Sequence, residues 1–352
     1  MSSGADLGGR TGATATIGAD AAEQFRLATV AIGADAAERF RLAALPTPLI
    51  QAPRLAGVVG ADSLYVKRDD LTGFAFAGNK ARPLEFLVAA ALAEGADTLV
   101  TGGAPDSNFC AATAAAARRA GLRCELVLAG RPGPPGPALT LAWSWGAGVR
   151  WTGVPERDSV DAGLPAAAAE LAAGGRRPYL IPRGGATGRG AAGYALAARE
   201  LREQLAAYGV EAARVVVAVG SGGTLAGLVA GNVLMGRPLR LAGASVSRPP
   251  DETAGRVLRL ARECLALLSP RDEVGPEDVV VADARGPGHG LASPEGAAAA
   301  EQAMRTEGLM VDPVYTAKAL ALVSRYADGG NAVFWHTGGQ LDAVTLAAEA
   351  GR

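Results

Sequence analysis

VVVAVGSGGTLAGLVAG, residues 215–231, reads as a strand, a glycine loop and a helix in immediate succession. An apolar run without polar alternation marks a strand covered on both faces. Gly220, Ser221, Gly222 and Gly223 follow it directly, and Thr224 stands at the start of the next helix. Glycines let backbone N–H groups approach an anion closely, and a helix start adds partial positive charge. Ser221 and Thr224 can donate hydroxyl hydrogen bonds. No Lys follows the glycines, so this is not a Walker loop, and the spacing is not the Gly-x-Gly-x-x-Gly of a dinucleotide fold. The stretch is therefore either a tight turn without a ligand or a cradle for a phosphate-bearing cofactor that is not hydrolysed.

Similar units flank it on both sides. Short apolar runs at Thr98–Thr101, Cys124–Leu128, Arg214–Val219, Leu241–Val246, Val279–Ala282 and Ala332–Trp335 predict buried strands. Helical patterns cover about 79–94, 108–120, 191–208, 224–234, 251–268, 294–307 and 317–326. Strand and helix in alternation predict an α/β fold with mainly parallel sheets. GRPGPPGP, residues 130–137, must be a loop, because prolines this dense hold neither a central strand nor a helix interior. Before residue 45 the chain differs: IGADAAEQFRLA (17–28) recurs as IGADAAERFRLA (32–43). Two copies do not make a solenoid. Ala37, Phe40 and Ala44 fall at helical spacing, which predicts one short amphipathic helix in a loosely attached leader over 1–45.

Composition narrows the function classes. Lys plus Arg number 34 against 35 Asp plus Glu in 352 residues, so there is no basic surplus for nucleic acid. No apolar run approaches the roughly 20 residues that span a bilayer. The N-terminus lacks the order of a secretory signal, and three cysteines (Cys110, Cys124, Cys264) share no metal-ligand spacing. The expectation is a cytoplasmic protein without metal, nucleic-acid or membrane partners.

Two further segments carry chemistry. YVKRDDLTGFAFAGNKARPLEF (65–86) puts Lys80 at the first turn of a long helix, beside Phe74, Phe76 and Leu84. The positive helix end and partial desolvation both disfavour its protonated form. A neutral amine is what Schiff-base chemistry requires. In TGGAPDSNFCAATAAAA (101–117), Ser107 and Asn108 stand at a helix start, placed either to cap it or to bind a carboxylate there.

Taken together these segments resemble the pyridoxal-phosphate enzymes of the tryptophan-synthase β-chain fold, in particular the D-cysteine desulfhydrase and ACC deaminase group. The matching stretches are PTPLIQAPRLA (46–56), LYVKRDDLTGFAFAGNKARPLEF (64–86), DSN (106–108), IPRGGATGRGAAGY (181–194), VGSGGT (219–224), GASVSR (243–248), GPGHG (286–290), VDPVYTAKAL (311–320) and HTGG (336–339). They occur in family order over about 300 residues. The resemblance implies a two-domain α/β protein of fold type II with open, mostly parallel sheets and pyridoxal 5'-phosphate in the cleft between domains. A small domain would cover 85–195 and a large one 46–84 and 196–352, in a homodimer. Lys80 would carry the cofactor as a Schiff base and then act as base at the substrate's Cα. Asn108 would meet the ring hydroxyl, Ser107 the substrate carboxylate, and Gly220, Ser221, Gly222, Gly223 and Thr224 the phosphate. Tyr315 would lie near the substrate and Thr316 would face the pyridine nitrogen. In this family the deaminase version reads Tyr-Glu at that step and the desulfhydrase version Tyr-Thr. Tyr315-Thr316 therefore favours α,β-elimination from a β-substituted amino acid, giving pyruvate and ammonia, over ACC deamination. A β- or γ-replacement enzyme is the other alternative. A cofactor-binding protein without turnover would keep the loop and lose the catalytic set, and Lys80 is present.

The substrate side departs from the family. Its usual Gln-Ser-Asn-His-x-Arg is here Asp106-Ser107-Asn108-Phe109-Cys110-Ala111, and its GPGYG is GPGHG, placing His289 where an active-site tyrosine stands. The turn after Gly184-Gly185 reads Ala186-Thr187-Gly188-Arg189. These changes predict an altered substrate pocket, with His289 an imidazole acid or base near Cβ.

Overall fold

The structure is a computed structural model that describes residues 28–32, 35–288, 290–327 and 329–344. Near the N-terminus, β1 (Ala28–Ile32) pairs antiparallel with β2 (Asp35–Arg39), so the short helix expected around Ala37 is instead a hairpin. Thr29 and Val30 between the two repeat copies and Ile32 at the start of the second are β-branched and favour an extended chain, and pairing draws the second copy into it. Nor is the end of this segment loose. Phe40 and Leu42 are buried, and Glu85 accepts the Leu42 and Ala43 N–H groups at 2.8 and 2.9 Å.

Beyond it the strands run β3 (Leu49–Gln51), β4 (Ser63–Arg68), β5 (Thr98–Gly103), β6 (Arg123–Leu128), β7 (Gly148–Trp151), β8 (Pro178–Leu180), β9 (Ala213–Val219), β10 (Leu239–Ser245), β11 (Val281–Asp283) and β12 (Asn331–His336). They form two sheets. One has the order β11-β10-β9-β12-β4-β3, parallel except where β3 meets β4, and the other β7-β6-β5-β8, parallel throughout. All six strands expected from apolar runs are present within two residues at their starts and ends.

Helices cover both sheets, as parallel strands require. The tightest contact positions the glycine loop. Gly227 and Gly231 on the Gly223–Leu234 helix meet the Gly188–Ala207 helix, where an added Cβ would stand 2.1 Å from the Ala191 carbonyl oxygen and 2.5 Å from that of Ala195. Only glycine allows backbones this close.

Beneath the Lys80 segment lies a buried polar cluster. Asp69 accepts from Arg82 Nε and Nη2 at 2.9 and 2.8 Å, from the Tyr194 hydroxyl at 2.6 Å and from Trp335 Nε1 at 2.9 Å. Glu200 accepts from Arg82 Nη1 at 3.0 Å and pairs with Lys67. The cluster joins β4, β12, the Ala81–Ala93 helix and the Gly188–Ala207 helix, and so fixes the base on which Lys80 stands.

Candidate active site

Lys80 ends a single 3₁₀ turn, Gly78–Lys80, and stands at the N-cap of the Ala81–Ala93 helix, which has no side-chain cap. Burial lowers its pKa from 10.5 to about 8, against the opposing pull of Asp312. Phe74 and Leu84 are buried nearby, but Phe76 is 60% exposed and does not contribute the apolar surround expected of it. Ala75 and Phe76 take φ of +48° and +52°, and the chain here turns the ring outward.

The preceding residue ties the lysine to the glycine loop: Asn79 Nδ2 donates to Thr224 Oγ1 at 3.0 Å. Gly222, at φ +99°, caps the Gly223–Leu234 helix without any side-chain partner for its first N–H groups. Arg248 Nη1 and Arg256 Nε hold the carbonyls of Gly220 and Ser221 at 3.0 and 2.8 Å. These arginines engage the loop's carbonyls and not its N–H groups.

Tyr315 lies over Gly220, where a Cβ would come within 3.2 Å of the ring. Burial pushes its phenol up to about 12, helped by Asp312, Asp106 and Asp342 and opposed by Arg157. Thr316 is fully buried, and its hydroxyl accepts the Asp312 N–H at 2.7 Å and donates to the Asp312 carboxylate. That carboxylate also accepts the N–H groups of Val314, Tyr315 and Thr316 at 3.0, 2.7 and 3.0 Å.

Ser107 caps the Asn108–Arg119 helix by accepting the Cys110 N–H at 3.3 Å. Asn108 Nδ2 donates to Asp342 at 2.8 Å. Burial raises the Asp342 pKa, Asn108 opposes the rise, and Asp312 and Asp106 add to it. Of the altered residues, Phe109, Cys110 and Ala111 are buried, the Phe109 ring packing under Gly185, so these three are core residues. Asp106 is exposed. His289 lies outside the described residues.

Lys80, Gly220–Thr224, Tyr315 and Thr316 are thus joined by direct contacts or through Asn79 and Asp312, while Asn108 joins the group through Asp342. Asn79, Asp312, Asp342 and Arg157 were not singled out from the sequence. An Asp just ahead of a helix start is a capping signal that would have found Asp312. Nothing local marks Asp342.

A lysine amine with depressed pKa beside an uncapped helix start bearing two hydroxyls is a donor set for a phosphorylated aldehyde. The class so defined is a two-sheet α/β enzyme with such a cofactor bound between a lysine and a glycine loop. A profile of pyridoxal-phosphate dependent enzymes matches residues 40–338, and the chain belongs to that family. It is similar to the D-cysteine desulfhydrase of Salmonella choleraesuis (strain SC-B67), 40% identical over 84% of this chain and 92% of the relative. The D-cysteine desulfhydrase of Salmonella paratyphi C (strain RKS4594) is 39% identical over the same shares. Among solved structures, an ACC deaminase homologue superposes with a TM-score of 0.79 at 34% identity, covering 88% of this chain and 94% of that one. A threonine deaminase from T.th., at 22% identity and TM-score 0.62 over 83% and 92%, shares the fold.

Proposed function

We propose that this chain is a pyridoxal-phosphate-dependent lyase that eliminates a β-substituent from an amino acid, as the D-cysteine desulfhydrases it resembles act on D-cysteine. The observation that carries this is Lys80, with a pKa of about 8, linked through Asn79 to the glycine loop. When bound, pyridoxal phosphate draws electron density from the substrate's Cα and acidifies its proton. Lys80 would hold the cofactor at its carbonyl carbon, and its amine is the base that would accept that proton. Gly220, Ser221, Gly222, Gly223 and Thr224 would hold the phosphate. Ser107 and the adjoining helix start would take the substrate carboxylate, and Asn108 would hold the ring hydroxyl. Thr316 would meet the ring nitrogen, Tyr315 would border the substrate, and His289 would serve as acid or base at the leaving group. The Cβ substituent leaves with its bonding electrons, and water converts the remainder to pyruvate and ammonia. Thr316 stands where an ACC deaminase would carry an acid, so ring opening of ACC is disfavoured.

We assign the catalytic cleft to the junction of a small domain, 85–195, and a large one, 46–84 with 196–352, in a cytoplasmic homodimer. Among the described residues no helix is long and apolar enough to cross a membrane.

Purified, cofactor-loaded protein given D-cysteine and other β-substituted alanines is expected to release pyruvate from at least one of them, and no keto acid from ACC. Keto acid from ACC alone would replace elimination by deamination. The Asn79–Thr224 link gives a second expected result. Asn79→Ala should weaken cofactor binding about 2–10-fold, the worth of one net hydrogen bond, as read by equilibrium dialysis.

A further inference from the structure

We propose that Arg157 is the subsite for a negatively charged substituent on the substrate's side chain, so that the leaving group is an anion before as well as after it departs. This deepens the elimination reading above and rests on it. Arg157 opens the Arg157–Ala173 helix and is partly buried, and among the described residues no hydrogen bond or ion pair engages its guanidinium.

The packing of its helix and its charge both bring it toward the glycine loop. One turn along the same helix face, Asp161 holds Arg183 by paired hydrogen bonds of 2.7 and 2.5 Å. The next residue, Gly184, packs on the glycine loop, where a Cβ would stand 2.8 Å from the Ser221 side chain. From the other side, Arg157 and the Tyr315 phenol lie within electrostatic reach of each other, and the Tyr315 ring rests on Gly220.

The neighbouring arginines are engaged. Arg183 has Asp161, Arg248 has Glu252 at 2.9 Å and the Gly220 carbonyl, and Arg256 has the Ser221 carbonyl. Arg157 has none of these. Burial, then the charges of Arg248 and Arg183, hold its pKa below the usual guanidinium range, with Tyr315 and the adjacent exposed Asp158 opposing them only in part.

The Tyr315 phenol also feels the charges of Asp106, Asp312 and Asp342. These three carboxylates are largely answered by nearer groups. Asp342 accepts from Asn108, Asp312 accepts three backbone N–H groups and a hydroxyl, and Asp106 is exposed to water. An anion on the substrate therefore gains more at Arg157 than a cation gains at these carboxylates. In the reaction the Cα proton passes to Lys80, the Cβ–X bond breaks, and X departs with the bonding pair as, for example, sulfate or phosphate. Water hydrolyses the remaining enamine to pyruvate and ammonia. Arg157 binds the charge of X throughout and stabilises what is added as the bond breaks.

The test compares β-substituted alanines on cofactor-loaded enzyme. Serine O-sulfate and O-phosphoserine are the anionic probes, O-acetylserine and β-chloroalanine the neutral ones, and diaminopropionate the cationic one, each in both enantiomers. Pyruvate release gives kcat and KM, and the change in the bound cofactor's visible absorbance gives dissociation constants independently of turnover. Arg157→Ala is expected to raise KM and Kd for the anionic probes about 10–100-fold, as for loss of a charge-assisted contact, and those for neutral probes less than about 3-fold. Arg157→Lys should restore part of the loss.

Equal effects on neutral and anionic probes, a preference for diaminopropionate, or cofactor loss in Arg157→Ala would overturn the subsite. Anionic probes that shift the absorbance through Arg157 yet yield no keto acid would leave it standing and remove the elimination. No shift with any probe would remove both.

Discussion

Lys80→Ala is expected to abolish turnover, lowering elimination by at least about 10⁴-fold. General base catalysis alone is worth about 10²–10⁴, and covalent capture of the cofactor is lost as well. The absorbance of lysine-linked cofactor should vanish with it, while the circular dichroism spectrum stays that of the parent, because Lys80 takes no part in the Asp69–Arg82 cluster. A second readout isolates the environment of the amine. Its pKa of about 8, lowered from 10.5 by burial, means that the neutral, nucleophilic form falls about tenfold per pH unit below 8 and saturates above. The rate at which cofactor-free protein captures pyridoxal phosphate should therefore climb up to about pH 8 and then level. A rate still climbing tenfold per unit above pH 9 would mean an ordinary exposed lysine, and an active Lys80→Ala protein would remove the residue from the mechanism altogether.

What the sequence makes legible here is what is local. The glycine loop is legible because its strand, turn and helix are contiguous, and Lys80 because a glycine turn precedes a strong amphipathic helix. β4 is a different matter. Lys67 and Arg68 break its apolar pattern, yet Lys67 is fully buried, held by Glu200, Gln204 Oε1 at 2.7 Å and the Thr47 carbonyl at 2.7 Å. Two of those partners lie more than 130 residues along the chain, where no window of sequence can see them. β3, β7 and β8 are edge strands of three or four residues, too short for a period to show. The helix that presents Arg157 contains Pro165, a residue that normally argues against a helix interior. At the site the same division holds. The Asp312–Thr316 contact spans four residues and was open to reading, whereas Asn108 and Asp342 are 234 residues apart. The substitutions at Phe109, Cys110 and Ala111 are hard to read from sequence for a related reason. A helix start beside a ligand site has an inward face as well as a cleft face, and sequence alone does not say which residues lie on which.

Asp69→Asn is expected to cost about 3–5 kcal/mol of folding stability, the range found when one partner of a buried ion pair is removed. The substitution keeps the shape and loses the charge. Every group aimed at Asp69 is a donor: Arg82 Nε and Nη2, the Tyr194 hydroxyl, Trp335 Nε1 and, at its other side, the Thr47 hydroxyl at 2.8 Å. An amide nitrogen in place of one carboxylate oxygen turns part of that set into donor facing donor and leaves Arg82 with only Glu200 to balance it. Melting should fall on the order of 10 °C at neutral pH. Acid resolves the cause. Burial by itself would raise the Asp69 pKa, but the adjacent Arg82 charge and its hydrogen bonds overcome it and bring the carboxyl from 3.8 down to about 2. A group depressed in the folded state stabilises it fully above the unfolded value and loses that contribution as pH falls through the folded one. The parent protein should therefore shed about 2 kcal/mol from this residue between roughly pH 4 and 2, and Asp69→Asn, which has nothing to titrate there, should show a shallower acid limb. If the variant melts within about 1 °C of the parent, or follows the same acid limb, then packing around β4 and β12 supports the Lys80 segment without this charge cluster.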